Sequence, residues 1–327
     1  MIKINGKALA TPHMVMSVSS VHTSLSPEEY TEILAARGTQ TILVSAYDLY
    51  HSNCRYEFVA AIKAVRAKGG IIFMDSGNYE KSRNLDKCWT QSKFAEIASE
   101  IEADLYFCFD NHMPPSSAED VATDVIERVK RDQKTTERGR RIQPIIHPPK
   151  VSTRISHSDS QKDFIDACFY VAEELRPEVL TVAERDLGHG IFERARTIQE
   201  IRNKLSSLKR YQPIHVLGAG NPLSVAILAA AGADLFDGLE WCRTSVDHET
   251  ARLLHTHQYD FYSWQTEWAA ENWDYVLKML THNLEFYHFW NVKLAQALEN
   301  NELWEWLEKK NYLSASIVAD ARNNIGV

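Results

Sequence analysis

Four carboxylates stand at the ends of short apolar runs in this chain, where β-strands would deliver them to a common surface. They are Asp75, Asp110, Glu184 and Asp237. Leaving carboxylates buried and unpaired costs on the order of several kcal/mol per ion, so such a ring is not expected of a purely structural surface. Three kinds of chemistry would use it: Mg²⁺ binding, general acid–base catalysis, or covalent nucleophilic catalysis.

The other strand ends narrow these alternatives. They carry Ser45, His147 and Gly218, and none of the predicted strand ends carries a lysine. A Schiff-base enzyme would need a lysine amine at such a position, and Lys150 lies beyond the end of the strand that it follows. Aldolase-like chemistry is therefore disfavoured.

Eight apolar runs alternate with helical patterns and would position these residues. The predicted strands are 13–18, 41–46, 70–75, 104–110, 142–147, 178–184, 213–218 and 234–240. Nearly continuous apolar runs are typical of strands buried on both faces of a parallel sheet. The alternation predicts a (β/α)₈ TIM barrel, with its chemistry at the carboxyl ends of the strands. An open doubly wound sheet is the alternative, disfavoured because no GxGxxG follows the first strand.

The pattern changes after the eighth strand. Residues 241–265 are polar and show no clear strand or helix, 268–300 read as one long helix or two joined helices, and two shorter helices follow. We expect a catalytic barrel core over 1–245. A helical C-terminal extension over 246–327, rich in tryptophan, is expected to pack on it.

Composition excludes several classes of protein. The 327 residues are 44% hydrophobic, enough for a large core, and the net charge of −8 disfavours a basic coat that binds nucleic acid at random. The five cysteines include no CxxC pair, so neither a disulfide framework nor a zinc ribbon is indicated. The N-terminus lacks a signal-peptide core and no apolar run reaches the roughly 18 residues of a membrane helix. We therefore expect a cytoplasmic protein without membrane contact.

Five short motifs form a specific set. They are DSGNYE at 75–80, VAE at 182–184, GAGNP at 218–222, LFD at 235–237 with an arginine six residues on, and HNLEFY at 282–287. Together they resemble the motifs of tRNA-guanine transglycosylases, the queuine and archaeosine superfamily, over roughly residues 70–295. The resemblance implies exchange of a guanine in a polynucleotide for a free 7-deazaguanine of the 7-cyano-7-deazaguanine or queuine type.

The resemblance also assigns roles. Asp237 would be the nucleophile that attacks C1′ of the ribose or deoxyribose, and Asp75 the general acid–base that also binds the base. A carboxylate stabilises an oxocarbenium-like carbon and can trap it covalently, which suits this assignment. The further base-binding residues that the resemblance implies are Ser76, Tyr79, Asp110, His147, Glu184, Leu217, Gly218 and Gly220.

The resemblance also implies which part of the base each of these residues contacts. Tyr79 and Leu217 would sandwich the base, which offsets part of the cost of unstacking it. Asp110 and Ser76 would form hydrogen bonds with the edge of the base, and Glu184 would contact its 7-substituent. Three positions depart from the family pattern: His147 and Glu80 replace glutamines, and Asn78 replaces a glycine. These changes alter the pocket and leave the identity of the incoming base open.

Zinc is a separate hypothesis. The family usually carries a CxCxxC cluster after the last strand, completed by the histidine of the late helix motif. That histidine is present as His282, but the cysteine cluster is missing, so the family zinc cluster is expected to be degraded or absent. The alternative zinc ligands are His248, His255 and His257 together with His282. Because the zinc subdomain helps family members hold tRNA, its loss puts the polynucleotide in doubt.

Basic side chains in the βα loops would hold phosphates around the acidic pocket. They are Lys81, Arg83, Lys87, Lys150, Arg154, Arg185 and Arg243. Of these, Arg243, Arg185 and Lys81 are the predicted phosphate contacts. The more basic run 128–141 leads into the fifth strand, at the opposite face of the barrel, and is interpreted as solvated surface.

Several alternatives stay open. DNA is slightly favoured over tRNA because the cysteine cluster is missing and the chain is short. A non-catalytic partner or nucleic-acid-binding subunit of a transglycosylase complex is the alternative function, disfavoured because Asp75, Asp110 and Asp237 are all retained. A third hypothesis is an Mg²⁺-dependent barrel enzyme acting on a small substrate. Homodimerisation is common in the family and is carried as an expectation.

Overall fold

The computed structural model describes residues 1–136, 141–150 and 157–326, apart from the side chains of 157–159. The strands are β1 Ile2–Ile4, β2 Lys7–Leu9, β3 His13–Ser17, β4 Thr41–Ser45, β5 Ile71–Asp75, β6 Leu105–Phe107, β7 Ile142–Gln143, β8 Ile145–Ile146, β9 Leu180–Ala183, β10 Ile214–Leu217, β11 Leu235–Gly238, β12 Thr244–Val246 and β13 Leu253–His255. The α-helices are α1 Pro27–Ala36, α2 Ala46–His51, α3 Arg55–Ala67, α4 Asn78–Asn84, α5 Gln91–Glu100, α6 Ala118–Thr135, α7 His157–Leu175, α8 Ile191–Leu205, α9 Pro222–Ala230, α10 Glu240–Arg243, α11 Tyr275–Glu299, α12 Leu303–Lys309 and α13 Ala315–Ile325. Short 3₁₀ segments occupy Glu184–Asp186, Thr256–Phe261, Ser263–Gln265 and Glu267–Ala270.

A nearly closed parallel barrel forms the centre of the described chain. Its nine strands are ordered β7-β6-β5-β4-β3-β11-β10-β9-β8, and every neighbouring pair is parallel. The two end strands, β7 and β8, are separated in sequence by Pro144 alone. Proline has no backbone N–H to donate, which explains why one predicted strand is observed as two. The predicted (β/α)₈ TIM-like fold is confirmed.

The strand register determines where along the barrel the polar side chains of the site lie. In β3 and β4 every residue is buried, as expected where helices cover the outer face and side chains fill the interior. Ser45 pairs with Asp75, and Asp237 pairs with Val15. The carboxyl ends of β5 and β11 therefore lie at the same mouth of the barrel, where βα loops surround them.

The strand predicted over 104–110 is shorter than expected. β6 spans Leu105–Phe107, and the backbone N–H of Phe109 donates to Asp132 Oδ2 at 2.7 Å instead of to a neighbouring strand. Thus a carboxylate from helix α6 ends the ladder before Asp110. The N-terminal β1–β2 hairpin and the short helices α2 and α4 were not predicted, because elements of three to seven residues show little periodicity.

The polar stretch 241–265 contains short elements that the sequence pattern did not reveal. It holds α10, the antiparallel β12–β13 hairpin and 3₁₀ turns. The long predicted helix begins at Tyr275, because Glu267–Ala270 form a separate 3₁₀ turn. Its Trp290 stacks on Phe286 at a centroid distance of 5.4 Å. The division into a core over 1–245 and an extension over 246–327 stays a prediction.

Helix α11 is fastened to the segment after β11 by one buried side chain. Asn283 Oδ1 accepts from the Val246 N–H at 3.0 Å, and its Nδ2 donates to the carbonyls of Trp241 and Thr244 at 2.8 and 2.7 Å. Tyr287, one turn on, donates its hydroxyl to the Gly220 carbonyl at 2.8 Å. The late helix motif thus braces the chain on both sides of the final barrel strand. Of the described helices, none is long and apolar enough to cross a membrane.

Replacing Asn283 should loosen this brace. Asn283→Ala leaves one buried backbone N–H and two carbonyls without their partner, so we expect the free energy of unfolding to fall by about 2 to 4 kcal/mol. Urea unfolding followed by circular dichroism measures this. Lys293→Ala, at an exposed position of the same helix, is the control and should change stability by less than about 0.5 kcal/mol. Equal effects of the two changes would contradict the bracing role.

Candidate active site

A cavity of about 400 Å³ opens at the carboxyl ends of the barrel strands. The predicted site residues that line it are Asp75, Tyr79, Asp110, His147, Glu184, Arg185, Leu217, Gly218, Asp237 and Arg243. They come from loops and strand ends that are far apart in sequence. The barrel therefore brings together in one cavity the residues that the motifs singled out.

Asp237 is held from three directions at the end of β11. Its Oδ2 accepts from the Ser17 hydroxyl at 2.7 Å, and its Oδ1 accepts from the Gly218 N–H at 3.3 Å. His215 Nε2 lies 3.2 Å from Oδ1, close enough for electrostatic contact although not aligned as a hydrogen bond. Sequence reasoning missed Ser17 and His215, because both lie inside apolar strands. Fixed oxygens facing a cavity are what a carboxylate nucleophile requires.

Asp75 ends β5, which is separated from β11 by β3 and β4 on the same rim. Its Oδ2 accepts from the Gly77 N–H at 3.0 Å. Gly77 has φ +81°, and a Cβ there would overlap Tyr47, so only glycine allows this turn. Burial, and next the charge of Asp110, raise the pKa of Asp75 to about 7. Near neutral pH this carboxyl group can therefore both donate and accept a proton, as general acid–base catalysis requires.

A chain of charged hydrogen bonds crosses the cavity floor. His147 lies between two carboxylates, with Nε2 2.9 Å from Asp110 Oδ2 and Nδ1 2.7 Å from Asp186 Oδ2. His112 Nε2 also lies 3.1 Å from Asp110 Oδ2. Burial lowers the pKa of His147, but the two carboxylates outweigh this effect and raise it to about 9. At neutral pH the imidazolium therefore donates from both of its nitrogens.

Asp110 stays ionised within this chain. Burial raises the pKa of its carboxyl group, but the hydrogen bonds from His112 and His147 lower it well below its usual range. Asn78 Nδ2 donates to Asp110 Oδ1 at 2.8 Å and to its backbone carbonyl at 2.9 Å. Ser76 Oγ lies 3.5 Å from the same Oδ1. Asn78, where the family motif has glycine, thus fixes the orientation of Asp110.

The remaining wall contains two further carboxyl groups. Glu184 pairs with Arg194 at 2.8 Å; burial raises its pKa and the arginine opposes that rise. Glu240, which sequence reasoning missed, also lines the cavity, and burial raises its pKa to about 7. Gly220 is not among the described residues that line the cavity. A Cβ at Gly220 would overlap the Glu240 carboxyl group, so this glycine makes room for a side chain and not for a ligand.

The predicted phosphate contacts separate into two sets. Arg185 and Arg243 line the cavity, and Arg243 also lines an adjoining surface pocket. Lys81 does not line the described cavity; its ammonium lies 5.2 Å from the centroid of the Phe109 ring. Arg154 and residues 137–140 of the basic run lie outside the described residues.

The predicted zinc histidines do not fit a zinc site. His282 Nδ1 lies 3.1 Å from Thr266 Oγ1, and its Nε2 lies 2.8 Å from the Val246 carbonyl, so both nitrogens are engaged. The rings of His255 and His257 stack on each other, with their centroids 5.5 Å apart. Among the described residues, the three metal-ligating groups that do lie close together are the cavity residues Asp110, His112 and His147, with ligand atoms within 4.8 Å of one another.

The chain is similar in sequence to a family of known proteins. A family model described as queuine tRNA-ribosyltransferase matches residues 1–253. The chain belongs to this family. The tRNA-guanine(15) transglycosylase of Methanopyrus kandleri is 24% identical over 247 residues, which cover 73% of this chain and 50% of that protein. The protein of the same name from Thermococcus onnurineus is 21% identical, with 94% and 54% covered. The chain thus spans about half the length of these curated relatives.

Ionisation of the partly buried Asp75 carboxyl group should cost stability. The pKa of Asp75 is about 7 in the folded protein against an ordinary 3.8, so the folded state keeps a proton that the unfolded chain releases, and stability falls as pH rises between these values. Asp75→Asn removes this loss. We expect it to raise the unfolding free energy at pH 8 by about 2 kcal/mol or more, and far less at pH 4.5.

Urea unfolding at the two pH values measures this difference. The control is Asp320→Asn, at an exposed position on α13, which should change stability by less than about 0.5 kcal/mol at either pH. A lower unfolding free energy of Asp75→Asn at pH 8, or the same increase at both pH values, would contradict the claim that ionisation of Asp75 destabilises the folded protein.

Proposed function

We propose that this protein exchanges a guanine within a polynucleotide for a free 7-deazaguanine through a covalent glycosyl–Asp237 intermediate. The observation that carries the proposal is the arrangement of Asp237 and Asp75 on one cavity. The first has both oxygens held by donors, and the pKa of the second is raised to about 7. Membership of the queuine tRNA-ribosyltransferase family supports it.

The exchange proceeds in two balanced steps. In the first, an Asp237 oxygen attacks C1′ of the target nucleotide, the glycosidic bond breaks, and its electron pair leaves on the guanine ring nitrogen, which takes a proton from Asp75. In the second, the incoming base returns a proton to the Asp75 carboxylate, its ring nitrogen attacks C1′, and the bond to Asp237 breaks. No net proton is gained or lost, and one acid of pKa near 7 serves both steps.

The cavity floor matches the edge of a guanine-like base. The Asp110 carboxylate can accept from the ring N–H and the exocyclic amine. The His147 imidazolium, whose two N–H groups are engaged by Asp110 and Asp186, would place a positive charge near the adjacent carbonyl oxygen. Tyr79 and Leu217, which both line the cavity, would sandwich the ring. A cation facing that carbonyl also stabilises the negative charge that develops on the leaving base. The histidine at the glutamine position thus supplies a charge that glutamine lacks.

Two polynucleotides are candidates. The names of the curated relatives, tRNA-guanine(15) transglycosylases, support tRNA. The missing cysteine cluster and the engaged nitrogens of His282 support DNA, because a zinc subdomain that would help hold tRNA is not built from these residues. In either polymer, Arg243 and Arg185 at the cavity are the proposed phosphate contacts, with Lys81 a weaker candidate because it packs on Phe109.

The incoming base and the assembly are further parts of the proposal. Glu184, held by Arg194 at the cavity wall, would contact the 7-substituent of a 7-cyano-7-deazaguanine or queuine type of base. A homodimer stays an expectation. A metal-dependent reaction on a small substrate is the second candidate function, because Asp110, His112 and His147 are spaced as metal ligands.

An exchange assay tests the proposal. Radiolabelled guanine is incubated with unmodified tRNA or with duplex DNA, and label in the polymer is counted after precipitation. We expect wild-type protein to label one of them and Asp237→Ala to lose at least about 10³-fold of that rate, because the covalent step is lost. The control is Asp320→Ala, on the exposed face of α13, which should retain the full rate.

Three outcomes distinguish the candidates. Label in one polymer identifies the polynucleotide and supports the base exchange. Label in neither polymer, or equal labelling by wild type and Asp237→Ala, overturns the assignment and leaves a binding subunit as the better account of the family resemblance. Activity that requires no polymer and is abolished by EDTA would instead favour the metal-dependent candidate.

A further inference from the structure

Glu80 is a buried carboxyl group in the cavity wall that the base exchange leaves unused. It lies on α4, five residues after Asp75, and only 4% of it is exposed. Its Oε1 accepts from the Ser19 hydroxyl at 2.6 Å, whereas its Oε2 has no hydrogen-bond partner among the described residues. Buried polar atoms almost always have a partner, so this one indicates that a ligand atom completes the site.

Charged groups from several elements surround Glu80. Asp48 on α2 accepts from the backbone N–H of Ser20 at 2.9 Å and from its hydroxyl at 2.5 Å. Asp75 stands at the end of β5, and both Arg83 on α4 and Asp237 on β11 line the same cavity. Burial, and next the charges of Asp48 and Asp75, raise the pKa of Glu80 to about 8.

Glu80 is therefore protonated at neutral pH. Because the Ser19 hydroxyl donates to Oε1, the proton resides on Oε2. The group is then a neutral hydroxyl donor that has no acceptor in the described protein. The glutamine of the family motif would present a neutral donor at this position as well, but one that does not titrate.

The order of strands around the barrel indicates which part of the substrate lies here. The groups that match the base edge follow β6 and β8, whereas Glu80 contacts the loop after β3. Asp75 and Asp237, on β5 and β11, stand between these two sectors. With C1′ held between the two aspartates and the base directed to the β6–β8 sector, the sugar and its phosphates extend over the β3–β4 sector.

We propose that the Glu80 carboxyl group is a contact for the sugar–phosphate backbone of the target nucleotide, donating its Oε2 hydrogen to a backbone oxygen, and that its ionisation breaks this contact. The inference rests on the proposed function for the identity of the ligand. An acceptor oxygen on a phosphate is present in DNA and RNA alike, whereas a 2′-hydroxyl oxygen is present in RNA alone.

Direct binding tests the contact without requiring turnover. The probes are fluorescent stem–loop oligonucleotides with one guanine in the loop, made as RNA and as DNA, and Kd is measured by anisotropy from pH 6.5 to 9.5 without incoming base. For wild type we expect Kd to rise about tenfold between pH 7.5 and 9.5, as the donor is lost and a negative charge replaces it. Glu80→Gln should bind within about threefold of wild type at pH 7 and lose that rise.

A second variant separates this contact from a merely structural role. Asp48→Asn removes a neighbouring negative charge, which lowers the pKa of Glu80, so the rise in Kd should begin at lower pH than in wild type. His147 and Asp75 are retained in both variants. Because Glu80 and Asp75 interact electrostatically, only the pH dependence due to His147 is taken as common to all three proteins.

Each result decides one point. A rise in both polymers assigns the acceptor to a phosphate or another shared oxygen, and a rise in RNA alone assigns it to the 2′-hydroxyl. A flat wild-type profile, or the same rise in wild type and Glu80→Gln, overturns the inference. The exchange assay reports the proposed function separately, because label can enter the polymer with a flat Kd profile and a pH-dependent Kd can occur without labelling.

Discussion

Six carboxyl groups among the described residues line one cavity at the mouth of the barrel, three of them buried, and their mutual repulsion is the constraint on which the site depends. They are Asp75, Glu80, Asp110, Glu184, Asp237 and Glu240. Such a set cannot be fully charged at low dielectric without compensation. The structure offsets the charges of these carboxyl groups in different ways. The groups therefore differ in whether they can donate or accept a proton.

Positively charged neighbours offset the negative charge of two of these carboxyl groups, and three others are neutral because they retain a proton. Asp110 is bonded to two histidines and Glu184 to an arginine. Burial holds protons on Asp75, Glu80 and Glu240 up to about pH 7 or 8. Asp237 has fixed donors at both oxygens. In the proposed reaction these four states would serve as an acceptor for a base edge, an acid–base, a neutral donor and a nucleophile within a single cavity.

The sequence was informative about features that depend on the periodicity of apolar residues or on short local motifs. Near-continuous apolar runs ending in a charged residue located the strands and placed Asp75, Asp110 and Asp237 at one rim, because parallel strands in a barrel end together. Partners that depend on tertiary contact were not predictable. His215 and Ser17 are hidden inside apolar strands, and Asp186 meets His147 only because β8 and β9 are neighbours. The Asn78 amide likewise meets Asp110 only across two strand ends.

Motif resemblance had its own limits. Gly220 belongs to a recognisable turn, but its role here is to accommodate the Glu240 carboxyl group, which no spacing rule indicates. The late histidine of the motif is engaged in protein hydrogen bonds, and its neighbour Asn283 braces the last strand. Gly220 and His282 therefore make contacts within the protein that their motifs do not indicate.

The central claim is that Asp237 bonds covalently to the sugar of a polynucleotide, and mass spectrometry of that residue tests it most directly. Protein is incubated with the polymer alone, denatured, treated with nuclease and digested with protease. We expect a ribose-phosphate or deoxyribose-phosphate adduct, without the base, on the peptide that carries Asp237, and we expect it to disappear when the incoming base is added before quenching. An adduct on another residue, or none under conditions where exchange is observed, would contradict it.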